Sequence, residues 1–196
     1  MTLYRTFIAI ELSDESRRLV AELAERLRAA GATLRWMKPE NLHYTLSFLG
    51  EIPAAQVARA VVATRSAVGR TMPFPVSIGG LGAFPGLERP QVIWVGCTEG
   101  SEALGRLSGE VKAALDRERL PSDPKPFRPH LTLGRVKDNR QWGELVRAVR
   151  SHRDAAIGVE WVRTVTVMES RLTPDGPVYT PREKVLLGHG LNSTGT

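Results

Sequence analysis

Cysteine is almost absent from this chain of 196 residues, and so are long apolar runs, histidines and any surplus of acid. Cys97 stands alone, which rules out an internal disulfide framework and a cysteine-built zinc site and suits a reducing cytosol. The first apolar run, Phe7-Ile8-Ala9-Ile10, stops at Glu11, with Asp14 and Glu15 close behind. It is too short for a signal peptide or a membrane span, so we expect a cytoplasmic protein with no membrane partner. Asp and Glu number 21 against 27 Lys and Arg, giving a net charge of +6 and a pI near 10.0. That balance points to an anionic partner, nucleotide or RNA. Disorder is not the expectation, since 42% hydrophobic and 24% charged residues are ordinary for a soluble globular chain. The length suffices for one sizeable core or two small lobes.

Histidine numbers only four, yet two of the four open the same tetrad: His43-Tyr44-Thr45-Leu46 returns as His130-Leu131-Thr132-Leu133. Around both, apolar residues alternate with polar ones, the period of a half-buried strand, so each His shares a sheet face with its Thr. An imidazole gives or takes a proton near neutral pH, and a hydroxyl two residues on, held by a stiff χ1, can donate to an oxyanion. One copy supplies half of a phosphate site; two copies facing each other supply a whole one. In-line displacement at phosphorus needs a base on one side and an acid on the other, with donors for the non-bridging oxygens. His43 and His130 fit the first need and Thr45 and Thr132 the second, while Arg128 and Arg135, close to His130, are candidates to bind substrate and offset its charge. No metal or other cofactor is required if the substrate is already strained, as a five-membered cyclic phosphodiester is. His152 and His189 lack the pattern and read as ordinary surface residues. Trp36, Tyr44 and Phe48 read as core rather than as base-stacking platforms, because Tyr44 and Phe48 alternate away from His43.

Along the chain, Arg5 to Leu12 reads as a strand, and Ser13 caps a helix with Leu19, Val20, Leu23 and Leu27 inward, ending at Gly31. A short strand from Thr33 to Met37 and a turn at Lys38 to Asn41 deliver the first tetrad strand, which stops at Gly50. Pro53 opens a helix to about Val68. Strands follow at Phe74 to Ile78 and Val92 to Cys97, with Gly79-Gly80-Leu81-Gly82 between them a turn or bulge. A helix over Ser101 to Arg119, a rigid loop from Pro121 to Pro126, and a second tetrad strand from Phe127 to about Val136 come next. The last elements are a helix from about Arg140 to His152, a strand from Val162 to Glu169, a hairpin at Asp175-Gly176, and a loose tail over 188–196.

The order strand, helix, tetrad strand, helix, strand thus occurs twice, over about 5–78 and 92–171, with a C-terminal hairpin, inside a single bilobal domain spanning 1–187. We expect an α+β fold of two pseudo-symmetric lobes with His43 and His130 facing each other across a cleft.

The residues that carry this pattern resemble the two-histidine phosphoesterase superfamily, and within it the RNA 2′,3′-cyclic phosphodiesterases, also called 2′-5′ RNA ligases. The similarity extends over Arg5 to Ile10, Trp36 to Glu51, Gly80 to Pro85, Pro126 to Arg135, and Glu169 to Leu172 followed by Gly176 and Tyr179. It implies two lobes, each an antiparallel-rich sheet backed by helices, with the site between them. The implied reaction is metal-independent opening of a terminal 2′,3′-cyclic phosphate to a 2′-phosphate, with weak reverse 2′-5′ joining. By the same resemblance His43 is the proton donor to the departing O3′, His130 the proton acceptor that activates water, Thr45 and Thr132 phosphate binders, and Arg135 a phosphate contact. Strict alternation puts Arg135 on the face opposite His130, so either a bulge at Gly134 or an earlier end to the strand is needed. The partner implied is an RNA end or nucleotide bearing a 2′,3′-cyclic phosphate, with a monomer and no obligatory protein partner. The alternatives are a phosphodiesterase of small cyclic nucleotides or 2′-5′ oligonucleotides and a non-catalytic RNA-end binder. A metal-dependent hydrolase is disfavoured because neither tetrad supplies further ligands.

Overall fold

The computed structural model describes residues 2–29, 34–136, 142–174 and 176–190. In order, the elements are β1 (Leu3–Glu11), α1 (Asp14–Ala29), β2 (Leu34–Trp36), a 3-10 turn (Pro39–Asn41), β3 (His43–Pro53), α2 (Ala54–Val68), β4 (Phe74–Phe84) and β5 (Val92–Glu99). They continue with α3 (Ser101–Arg117), β6 (Leu131–Val136), α4 (Trp142–Ser151), β7 (Ala156–Val162), β8 (Thr164–Thr173) and β9 (Gly176–Leu186). Two sheets result, a four-stranded one in the order β3-β1-β8-β9 and a five-stranded one in the order β2-β6-β5-β4-β7. Every pairing is antiparallel. The fold is α+β and bilobal, as the repeat implied.

The two halves keep their order of elements but do not keep to themselves. β4 turns back on β5 and joins the five-stranded sheet, while β8 pairs with β1 across the length of the chain. The hairpin explains the first exchange, since strands consecutive in sequence usually pair. The helices exchange as well: α1 packs on β7 and α4 on β4, whereas α2 and α3 back the four-stranded sheet. Ser13 shows why α1 crosses. Its Oγ accepts the Ser16 N–H at 3.2 Å as a helix cap, and its own N–H and hydroxyl both donate at 2.8 Å to the buried carboxylate of Glu160 on β7. The inward residues Val20, Leu23 and Leu27 of α1, and Leu104, Leu107, Val111 and Leu115 of α3, then enter one continuous core spanning both sheets. Each fully buried Leu contributes roughly 1.5–3 kcal/mol.

The glycine cluster is the bulge of the two readings offered, β3 runs on past Gly50 to Pro53, and other local features differ from the sequence reading. β4 runs unbroken through the glycine cluster, which is a bulge inside the strand: Gly79 pairs with Gly96 and Leu81 with Val95, leaving Gly80, at φ 75°, between them. β7 is an additional strand, separated from β8 by Arg163 alone, so the chain changes sheets within one residue. The second tetrad strand starts at Leu131, after an irregular stretch from Pro126 to His130. The start of the C-terminal segment is docked: Gly188 and Gly190 donate to the carbonyls of Val68 and Gly69 at 3.3 and 2.9 Å. The expected features at Gly31, Thr33, Arg140 and Asp175, and the rest of the tail, lie outside the described residues.

Candidate active site

The sheets meet where β3, the edge of the four-stranded sheet, touches β6. Tyr44, fully buried, ties them by donating its hydroxyl to the Gly96 carbonyl on β5 at 3.2 Å. Because Tyr44 and Leu131 point into the shared core, the tetrad residues on either side, His43 with Thr45 and His130 with Thr132, turn outward into one cavity of about 550 Å³. Arg128 and Arg135 line the same cavity, whereas His152 and His189 do not.

Both tetrads end in the same backbone device. On β3, Thr45 pairs with Ala9 and Ser47 with Ile8, so Leu46 has no partner; on β6, Thr132 pairs with Trp94 and Gly134 with Ile93, so Leu133 has none. Each tetrad leucine is a β-bulge. Its side chain stays in the core, 1% exposed in both copies, and the alternation slips by one residue beyond it. The slip carries Arg135 back to the side of His130, and it carries the equivalent residue of the first copy, Phe48, to the cavity as well. Phe48 is therefore 47% exposed at the mouth of the site, a correction to its reading as core. Both bulge carbonyls are satisfied, Leu46 by the Ser108 hydroxyl at 2.9 Å and Leu133 by the Met37 N–H at 2.8 Å.

The two imidazoles are held alike. His43 donates Nδ1–H to the carbonyl of Asn41 at 2.7 Å, and His130 donates to that of Arg128 at 2.7 Å, each two residues back. This tautomer leaves Nε2 of both rings for proton transfer. Aromatic rings fix the planes. Phe7 and Tyr179 lie 4.9 and 5.2 Å from His43, and Phe84 stands edge-on to His130 at 4.9 Å. Phe84 is backed by Trp94 at 5.1 Å, and the indole in turn lies on Gly82, where a Cβ would come within 2.3 Å of the ring. That close approach is what the last glycine of the cluster is for.

Burial lowers the pKa of both histidines from the ordinary 6.5. For His43 the Asn41 hydrogen bond opposes the shift, the nearby His130 adds to it, and Glu11, its cross-strand partner on β1, opposes it. For His130 the Arg128 hydrogen bond opposes and the Arg135 guanidinium adds. His130 thus senses the positive charge of Arg135, whereas His43 senses a positive neighbour in His130 and, more weakly, a negative one in Glu11. Burial also raises the Tyr179 phenol, against the pull of Arg135 and Arg5, and so keeps it a hydrogen-bond donor.

Tyr179, Phe84, Lys112 and Lys125 line the cavity beyond the candidates named from the tetrads and their flanks. Tyr179 and Phe84 stood within the stretches that carried the family resemblance; Lys112, on a helix remote from both tetrads, gave no signal. Among the described residues no group of three or more His, Cys, Asp or Glu is arranged to hold a metal ion.

A fold that builds one His–Thr pair twice, on or at the start of a strand, and turns both toward a common cavity is the architecture of the two-histidine phosphoesterases. The family within that class is also defined. The family model of LigT-like phosphoesterases matches residues 10–94 and again 95–179, one tetrad in each, and the chain belongs to that family. The RNA 2′,3′-cyclic phosphodiesterase of Aquifex aeolicus (strain VF5) is 33% identical over 195 residues, covering 96% of this chain and 100% of that protein. The protein of the same name from Archaeoglobus fulgidus is 37% identical over 175 residues, covering 89% and 96%. Among solved structures, TT0787 of Thermus thermophilus superposes with a TM-score of 0.79 at 28% identity, covering 94% of this chain and 98% of that one. The E. coli LigT complex with 3′-AMP shares the fold, with a TM-score of 0.73 at 23% identity, covering 94% and 98%.

Proposed function

We propose that this protein is an RNA 2′,3′-cyclic phosphodiesterase that opens a terminal cyclic phosphate to a 2′-phosphate by paired-histidine acid and base catalysis. The observation that carries the reading is the duplicated His–Thr pair, with both imidazoles pinned through Nδ1 and both Nε2 atoms left for one cavity. His130 takes a proton from water as its oxygen attacks phosphorus, and His43 gives a proton to O3′ as the P–O3′ bond breaks. The products are a 3′-hydroxyl and a 2′-phosphate, so atoms and protons balance. Thr45 and Thr132 hold the non-bridging oxygens, and Arg135, returned to the cavity by the Leu133 bulge, offsets the charge gathering on them. Arg128 lies at the same wall as a further substrate contact. The surroundings differ in the direction this division needs only in part: Arg135 beside His130 favours a neutral ring, while at His43 Glu11 favours the imidazolium against the larger effect of burial. The mechanism needs no cofactor, since ring strain activates the substrate. With the 5′-hydroxyl of a second RNA end in place of water, the same step joins RNA ends through a 2′-5′ bond: His130 takes the proton of that hydroxyl and His43 again gives one to O3′. The relatives' names as RNA 2′,3′-cyclic phosphodiesterases support the substrate. A monomer in a reducing cytoplasm suits the lone thiol of Cys97, and no helix among the described residues is long and apolar enough to cross a membrane.

The test is an oligoribonucleotide ending in a 2′,3′-cyclic phosphate, incubated with the protein in excess chelator, the product read by phosphorus NMR. We expect a 2′-phosphate from the parent and a loss of at least about 10²-fold in kcat from His43→Ala and from His130→Ala. Oligonucleotide binding without turnover in the parent would replace this reading with an RNA-end binder. Turnover of small cyclic nucleotides or 2′-5′ oligonucleotides alone would reassign the substrate.

A further inference from the structure

The cavity holds more positive charge than one cyclic phosphate needs. A cyclic phosphodiester carries one negative charge, and Arg135 with two threonine hydroxyls already answers it. Lys112 and Lys125 line the same cavity at its other wall, built by α3 and the loop that follows. Neither ammonium has a carboxylate within salt-bridge distance among the described residues. Asp123, the one acidic side chain lining that wall among the described residues, uses Oδ1 to accept the Lys125 backbone N–H at 3.0 Å.

This wall is fixed in place. Buried Ser108 docks α3 on the Leu46 carbonyl, and Lys112 stands one turn further along the same helix face. Half-buried Lys112 then donates Nζ–H to the Lys125 carbonyl at 2.8 Å, and the Asp123 N–H donates to the buried Ser47 hydroxyl at 3.3 Å. Lys112 keeps two of its three donors for a ligand. Half-burying the Lys112 ammonium without a carboxylate partner has a cost unless an anion comes to meet it. Lys112, held by the loop, and the exposed Lys125 in the tetrads' own cavity match an RNA end, whose next phosphodiester carries one further charge one nucleotide away. The volume of about 550 Å³ leaves room for more than a single cyclic nucleotide.

We propose that Lys112 and Lys125 form a subsite for the phosphodiester immediately 5′ to the terminal nucleotide, so that the protein selects RNA ends over free cyclic mononucleotides. The proposal rests on the cyclic phosphodiesterase reading above. Three probes separate the two: a nucleoside 2′,3′-cyclic phosphate, the same compound bearing a 5′-phosphate, and a dinucleotide with a terminal cyclic phosphate. The parent is expected to favour the two probes with a 5′ phosphate by about tenfold or more in kcat/KM, mostly through KM, the size of one or two charge-assisted hydrogen bonds. Lys112→Gln with Lys125→Gln is expected to lower kcat/KM for those two probes about tenfold more than for the cyclic nucleoside. Lys125→Gln alone leaves the bond between the Lys112 ammonium and the loop carbonyl, so its partial loss of preference would exclude collapse of the loop as the cause. Equal parent rates on all three probes would overturn the subsite, as would an equal loss on all three in the variants. No turnover of any probe would instead overturn the phosphodiesterase reading.

Discussion

The two lobes make the same device from different material. In each, a tetrad histidine is pinned through Nδ1 to the carbonyl two residues back, a threonine shares its face, and the tetrad leucine forms a bulge that turns the residue five beyond the histidine into the cavity. The surroundings differ. His43 has Glu11 across the strand, two aromatic neighbours in Phe7 and Tyr179, and Phe48 five residues on. His130 has Arg135 five residues on and one aromatic neighbour, Phe84, carried by Trp94. The shared parts set geometry, and the unshared parts put two identical imidazoles in different surroundings, on which the proposed division into acid and base rests.

The sharpest way to break the comparison is at the support found only in the five-stranded sheet. In Gly82→Ala the new Cβ would meet the Trp94 indole at 2.3 Å, and a rigid ring backed by Phe84 has little room to retreat. We expect a loss of about 1–3 kcal/mol in urea unfolding from overpacking. A fall of about tenfold in kcat with little change in KM is also expected as Phe84 leaves the edge of His130. Trp94→Phe in the Gly82→Ala background frees the space and should restore stability. Unchanged kcat in folded Gly82→Ala would mean that the aromatic stack does not orient His130.

That support also marks the limit of what could be read from the sequence. The tetrads and their alternation were legible because each is local. The bulges were not, because a bulge is defined by the partner strand, and Ala9, Ile8, Trp94 and Ile93 lie far off in sequence. Phe48 was for that reason assigned to the core and the side of Arg135 left open. β7 was missed, and its last residue, Val162, was read as the start of β8 because only Arg163 separates the two strands. The exchange of β4, β8, α1 and α3 between halves depends on long-range pairing, which periodicity does not report.

A second, smaller effect sharpens the electrostatic half of the comparison. With His130 neutral and His43 charged in the active form, kcat/KM rises with pH through the pKa of His130 and falls through that of His43. Burial lowers both, so the bell should lie toward the acid side of the ordinary imidazole value of 6.5. Arg135→Gln removes a positive charge, raises the His130 pKa and moves the acid limb to higher pH. Glu11→Gln removes a negative charge, lowers the His43 pKa and moves the alkaline limb to lower pH. The second shift should be the smaller, since Glu11 is held by the Thr166 hydroxyl at 2.8 Å and by Lys184 at 2.9 Å, with Arg17 at 3.8 Å. Each substitution narrows the bell from its own side. Were the acid and base exchanged, Arg135→Gln would widen it on the alkaline side.

The smallest effect concerns how each bulge is held. Leu133 offers its carbonyl to a backbone donor, the Met37 N–H, which any residue but proline at position 37 would supply. Leu46 depends on a side chain, the hydroxyl of Ser108, 1% exposed on α3. Ser108→Ala removes the partner that α3 gives this carbonyl while leaving the packing nearly intact, so the expected cost is about 1 kcal/mol, or up to about 3 if no water reaches the oxygen. Because Lys112 stands one turn further along α3, the same change should weaken selection for an RNA end slightly without altering the pH limbs of either histidine. Urea unfolding measures the first effect and the ratio of kcat/KM between dinucleotide and cyclic nucleoside the second. A full loss of turnover in a folded Ser108→Ala protein would mean that the Leu46 bulge, unlike that at Leu133, is not set by its own strand pairing but is imposed from the helix.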